Sequence, residues 1–302
     1  MTGQMNPRSI PRLRLPAPDK GMDSTWRWIA LLVYGLALGL LMERHVFWRD
    51  EVHAWQIAVY DNSLASLFHD LQYDGHPALW FLLLRGLNAL FHSPHALPAA
   101  HWLVASLNAF LILWYCPIPP WQRIACCFGY FMMFEFGVIS RGYALEPFVA
   151  LLFVAIHTRC RLAITGPALL LALLVHTNIP GAFIALSLLA YWVTRLWGEG
   201  REARRRIWVP VATVCASTIA MLLYIEPPPD SLFANLYREY RQQLTPLEAI
   251  RNARMFLRVV APVPRLDTIH FWNTNWAEAI PLNAHPLTNQ SLLSILCLTL
   301  AV

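Results

Sequence analysis

Eight apolar runs of near membrane-crossing length constrain this chain more than any other feature. They fall at residues 27–47, 77–91, 100–116, 121–139, 144–157, 163–177, 180–197 and 207–225. About twenty apolar residues in a helix cross the hydrocarbon of a bilayer. Composition agrees: 57% of residues are hydrophobic and 14% charged, against about 45–50% and about 25% in soluble domains. Mean hydropathy is +0.43. Disorder is excluded, because it needs low hydrophobicity and high charge. The six cysteines (Cys116, Cys126, Cys127, Cys160, Cys215, Cys297) lie in apolar runs without C-x-x-C or zinc spacing, which excludes a disulfide-rich scaffold. The net charge of +5 reflects arginines flanking membrane spans and points to no nucleic-acid partner. The expected fold class is all-α, a polytopic transmembrane helical bundle.

The sequence predicts four regions. Residues 1–25, polar and proline-rich with Arg8, Arg12, Arg14 and Lys20, read as a cytoplasmic N-terminal tail and not as a cleaved signal peptide. Residues 26–226 form the transmembrane module, with a first external loop at 48–76. Residues 227–286 form an extracytoplasmic segment with an amphipathic stretch at 246–260. Residues 287–302 read as the start of a further span, cut short at Val302. The clusters Arg159/Arg161 and Arg201/Arg204/Arg205/Arg206 are expected in the cytoplasm. Counting back from them puts Asp50, Arg141, His176-Thr177-Asn178 and Glu226 outside. A straight count of spans from residue 77 gives the opposite parity, so one segment between 77 and 139 is expected to be re-entrant or wrongly divided.

The first external loop holds two amphipathic stretches expected to lie in the membrane interface. A helix over 50–60 puts Val52, Trp55 and Val59 on one face and Asp50 and His53 on the other. Ser63 is the expected cap of a second helix striped by Leu64, Leu67, Phe68 and Leu71.

Three polar constellations stand where lipid rejects polarity. Asp50 and Glu51 are neighbours about 100° apart on a helix, so one carboxylate can face a reaction while the other orients its surroundings. The alternative is a solvated interfacial acid pair. Asp74-Gly75-His76-Pro77 opens the next apolar run. Proline suits a first helical turn, and a helix N-terminus favours anions such as phosphate. The alternative is a plain helix start. Ser140-Arg141-Gly142-Tyr143 places a guanidinium between apolar runs, and a guanidinium is well shaped for phosphate. The alternative is an ion pair with Glu135 or Glu146. His53, Asp74, Tyr143 and Asn178 are further candidates for lining the same site. His176-Thr177-Asn178 before Pro180-Gly181 also reads as a helix break with satisfied polar groups. His270–Trp276 mixes aromatics and amides, as sugar-contacting loops and aromatic interface belts both do. There is no Walker loop, no G-x-G-x-x-G and no H-E-x-x-H, so no cofactor is expected and no metal ligands are assigned, with a divalent metal left open.

Trp48-Arg49-Asp50-Glu51-Val52-His53-Ala54-Trp55, then Tyr73-Asp74-Gly75-His76-Pro77-Ala78-Leu79-Trp80, then Ser140-Arg141-Gly142-Tyr143-Ala144-Leu145, together resemble the GT-C superfamily of membrane glycosyltransferases. The resemblance is to its protein-mannosyltransferase-like (family 39) and RgtA/B/C/D-like bacterial branch. It covers about residues 48–85 and 135–150, and Ala78 stands where the family often has a second proline. It implies a GT-C bundle in a bacterial inner membrane, with the active site outside. It implies a polyprenyl-phosphate sugar donor, an inverting transfer, and a glycan, lipid or protein acceptor. By this resemblance Asp50 is the general base and Glu51 the orienting acid, while His76 and Arg141 hold the donor phosphate.

Two readings from other classes compete. A secondary transporter or flippase also carries intramembrane charges and broken helices, but places them near the midplane of a two-fold repeat. A non-catalytic subunit of an envelope-assembly complex would tolerate loss of Asp50.

Overall fold

The computed structural model describes residues 22–60, 63–159 and 164–232, with Ala234, Asn235, Glu239 and Thr245. Most of the N-terminal tail, Cys160 and Arg161, the larger part of 227–286 with its 246–260 and His270–Trp276 stretches, and all of 287–302 lie outside the described residues. Contacts divide the chain into two compact units, Met1–Pro228 and Pro229–Val302. In the second, Ser231 Oγ accepts the Ala234 N–H at 3.0 Å.

Every element among the described residues of the first unit is helical. In chain order they are α1 (Ser24–Glu43), α2 (Arg49–Tyr60), α3 (Leu64–Asp74), α4 (Leu79–Phe91), α5 (Ala96–Tyr115), α6 (Pro120–Phe128), a π turn (Phe131–Glu135), α7 (Leu145–Arg159), α8 (Thr165–Val175), α9 (Ile179–Gly198), α10 (Arg201–Arg205) and α11 (Trp208–Ile225). Among the described residues, four helical stretches are long and apolar enough to cross a membrane: Ser24–Glu43, Ala96–Tyr115, Ile179–Gly198 and Arg201–Ile225. Leu79–Phe91, Leu145–Thr158 and Thr165–Val175 are shorter apolar helices.

Side-chain contacts fix the direction of each helix. Trp28, early in α1, packs on Trp114, late in α5, with ring centroids 4.7 Å apart. Trp102, early in α5, donates to the Gly35 carbonyl at 2.8 Å. The two helices are therefore antiparallel, and α5 starts at the end of the bundle where α1 finishes. Trp80, at the start of α4, meets His101 near the start of α5 at 5.8 Å. The thirteen residues of α4 thus begin beside the level at which α5 begins, and they pack with α2 and α3 around Leu67, Leu71, Phe81 and Leu84.

The expected span at 77–91 is corrected on this ground: α4 does not carry the chain from one end of the bundle to the other. The stretch 120–139 does, as a broken climb antiparallel to α5. Arg123 Nη1 bonds the Leu113 carbonyl at 3.1 Å, Cys127 Sγ the Ala109 carbonyl at 3.8 Å, and His101 Nε2 the Phe136 carbonyl at 3.1 Å. Gly137 lies within the break, where an added Cβ would run into the Met133 carbonyl oxygen. Removing α4 from the count restores the parity that the arginine clusters demand.

Ser63 Oγ accepts the Ser66 N–H at 3.1 Å and starts α3 as expected. Leu67 and Leu71 are fully buried, whereas Leu64 is exposed. In α2, Asp50 and His53 share one face as expected, and both line one cleft. Glu51, Ala54 and Ala58 are buried and Val52 is exposed. Small residues let helices approach closely, and Trp55 and Ile57 pack beside Ala54 and Ala58 against the same core.

Candidate functional site

The site begins with a fully buried carboxylate. Glu51 lies in the first turn of α2 and its Oε2 accepts the Trp48 N–H at 2.8 Å, the reach-back of a helix capping box. His45 Nε2 stands 2.7 Å from the same oxygen. Oε1 accepts the Ser140 N–H at 2.6 Å, 89 residues away in the chain. A carboxylate taken out of water is tolerated only when its lone pairs are filled, and these partners fill them. Glu51 therefore ties the start of α2 to the Ser140–Tyr143 loop and has no free edge for a substrate.

Its neighbour Asp50 points the other way on the helix. Asp50 Oδ2 lies 2.9 Å from Arg141 Nη1, with the two side chains 46% and 25% exposed. Arg141 also donates to the Tyr143 hydroxyl at 3.1 Å and stacks over its ring at 5.9 Å. This corrects the expected structural partner of Arg141. Glu135 accepts from the Tyr130 hydroxyl at 3.3 Å, and the Glu146 carboxyl is hydrogen-bonded by Asn178. Gly142 makes the loop possible. Its φ of +80° is a left-handed conformation, and an added Cβ would stand 2.7 Å from Trp80 Cγ.

A second carboxylate lines the same cleft. Asp74 ends α3 and the chain reverses at Gly75, whose φ is +74°. Asp74 Oδ2 is 2.8 Å from His76 Nδ1 and Oδ1 is 3.5 Å from His53 Nε2. The helix expected to open at Pro77 starts two residues later. The helix begins at Leu79, and the amides of its cap Ala78 and of Leu79 are already taken. Ala78 N–H donates to the Tyr224 hydroxyl at 3.0 Å, and Leu79 N–H to the His176 carbonyl at 3.1 Å.

Tyr224 escaped the sequence reading because one tyrosine near the end of an apolar run looks like an interfacial anchor. It joins a filled chain of hydrogen bonds. His176 Nδ1 is 2.7 Å from Tyr224 Oη, His176 Nε2 is 2.8 Å from Ser217 Oγ, and Ser217 Oγ reaches the Ala172 carbonyl at 3.1 Å. With the Ala78 amide donating to Tyr224, every donor and acceptor is matched if His176 is neutral and protonated on Nε2. The other members of this break are satisfied too. Thr177 Oγ1 donates to the Leu174 carbonyl at 2.7 Å, and Asn178 Oδ1 caps α9 by accepting the Gly181 N–H at 2.6 Å.

Asp50, His53, Asp74, His76, Arg141, Tyr143 and Asn178 line one cleft, floored by Pro77, Trp80 and Phe81. Of the candidate site residues only Glu51 is not on its wall. The cleft combines a guanidinium and two imidazoles with two carboxylates, so it has donors for an anion and acceptors for a proton. Among the described residues, no group of three or more His, Cys, Asp or Glu side chains is arranged to hold a metal ion. The chain matches no family model, no curated protein and no solved structure.

Proposed function

We propose that this chain is a multi-pass GT-C-type membrane glycosyltransferase. It moves a sugar from a polyprenyl-phosphate donor to an acceptor outside a bacterial inner membrane, with inversion at the anomeric carbon. One observation carries the reading: Asp50 and Arg141, 2.9 Å apart, sit in a cleft with His53, Asp74 and His76 at one end of an apolar bundle. The opposite end carries Arg123 and the 201–206 arginines, which by the positive-inside rule is the cytoplasmic end. A cleft at the outer surface suits a donor whose prenyl chain stays in the lipid.

Transfer needs a base for the acceptor hydroxyl and stabilisation of the charge that develops on the departing phosphate. The donor phosphate competes with Asp50 for Arg141. Its arrival frees the carboxylate, which then accepts the hydroxyl proton. Glu51 acts behind the site by fixing the loop that carries Arg141.

The transporter reading draws some support from His101 and Asn108, both buried within α5. Their bonds favour a structural role, since His101 meets the Phe136 carbonyl and Asn108 donates to the Ala144 carbonyl at 2.8 Å. Mass spectrometry of envelope glycans and lipids from cells with and without the gene tests the proposal. A missing hexose or pentose on one envelope component is expected. An unchanged envelope together with altered solute uptake would favour transport.

A further inference from the structure

His76 is held in one orientation. Its Nδ1 lies 2.8 Å from Asp74 Oδ2 and 3.0 Å from the Asp74 main-chain carbonyl oxygen. A main-chain carbonyl only accepts, so Nδ1 carries the hydrogen and the Nε2 edge is left free for chemistry on the cleft wall that His76 forms. Asp74 is sunk behind the ring at 11% exposure, while His76 is 43% exposed. In dyads of this kind the carboxylate fixes the tautomer and stabilises the imidazolium. Asp50 is committed to Arg141, so the cleft holds two separate proton-handling units.

We propose that His76, oriented by Asp74, is the proton donor to the departing phosphate; this rests on the glycosyl-transfer reading above. The donor is a phosphodiester. When the bond between the anomeric carbon and the phosphate oxygen breaks, the phosphate becomes a monoester and gains a negative charge. The His76 imidazolium gives its Nε2 proton to that oxygen and becomes neutral, with Nδ1–H still on Asp74. The acceptor oxygen forms the new bond to the anomeric carbon, and its proton passes to Asp50. One proton thus leaves the acceptor for Asp50, another leaves His76 for the phosphate, and exchange with water restores both groups. Asp74 is a positioning residue.

The charged and titratable groups around His76 are accounted for. Asp50 and His53 come from α2, Arg141 and Tyr143 from the loop before α7. Glu146 lies behind Asn178, and His176 and Tyr224 lie behind the start of α4. An anion arriving beside an imidazole favours its charged form.

The test uses the full chain in lipid nanodiscs and farnesyl phosphate as the probe. Calorimetric titration at about pH 8, in two buffers of different ionisation enthalpy, counts the protons taken up. Wild type is expected to take up roughly one proton per farnesyl phosphate bound. His76→Gln and Asp74→Asn are expected to bind within about tenfold of wild type but to take up clearly less. Transfer by His76→Gln should fall roughly 10²-fold. If His76→Gln fails to fold, Asp74→Asn, which keeps the imidazole, carries the same comparison. Binding with proton uptake unchanged in the variants would overturn the donor role of His76 and leave the glycosyl-transfer reading standing. Absence of farnesyl phosphate binding by wild type would overturn both.

Discussion

The carboxylate of Glu51 accepts the Ser140 main-chain N–H at 2.6 Å, and this bond sets Arg141 against Asp50. Glu51→Ala leaves the amides of Trp48 and Ser140 without their acceptor. Each buried orphan costs about 1–3 kcal/mol, so a loss of roughly 2–6 kcal/mol is expected. Thermal unfolding in detergent reads it. Glu51→Gln should also destabilise, because its NH₂ group must oppose one of those N–H groups. Wild-type stability in Glu51→Ala would show that the tie is not formed.

Arg141 is predicted to matter for donor use far more than for folding. Its partner Asp50 is nearly half exposed, and ion pairs of that kind contribute at most about 1 kcal/mol. Arg141→Ala should therefore insert and unfold much like wild type, yet require a higher donor concentration. Arg141→Lys should recover only part of the loss, since an ammonium lacks the planar fork. A large drop in unfolding temperature with normal donor affinity in the surviving fraction would assign the residue a structural role.

Gly142→Ala adds one methyl group where there is no room. The strained φ costs about 1–2 kcal/mol, and the new Cβ meets the Trp80 ring. The loop must shift and take Arg141 with it. Transfer should drop sharply while the far ends of α9 and α11 are undisturbed, as hydrogen exchange would show. Gly86→Ala, where nothing lies within 4 Å of the added carbon, is the control expected to behave as wild type.

Much of this was legible in the sequence, and the gaps have physical causes. Ser63 caps α3 as its side chain and position predict. Asp50, Asp74, His76 and Arg141 could be picked out because lipid penalises polar groups without a purpose. Apolarity, however, carries no direction. The 77–91 run stays beside α2 and α3, while 120–139 crosses as a broken helix, and hydropathy rates both alike. The part of α2 that packs on the core was hidden for a related reason: Ala54 and Ala58 pack because they are small, while Val52 stays exposed. Arg141 was assigned Glu135 or Glu146 as alternative partners because they are near in sequence. Its true partner is 91 positions upstream, brought close by the fold.

Tyr224→Phe tests the part of the site that the sequence concealed. It removes the acceptor of the Ala78 N–H and the donor to His176 Nδ1. A loss of about 1–3 kcal/mol is expected, with faster hydrogen exchange at the start of α4. Unchanged exchange there would mean that the Tyr224 hydroxyl does not hold the helix start.

The central claim is that Asp50 accepts the proton when sugar leaves a polyprenyl phosphate. Turnover of a radiolabelled polyprenyl-phosphate sugar by wild type and Asp50→Asn, with insertion and folding matched, measures it most directly. The asparagine keeps the size of the side chain and removes its basicity. Transfer is predicted to fall by at least about 10²-fold. Equal turnover by the two proteins would contradict the account.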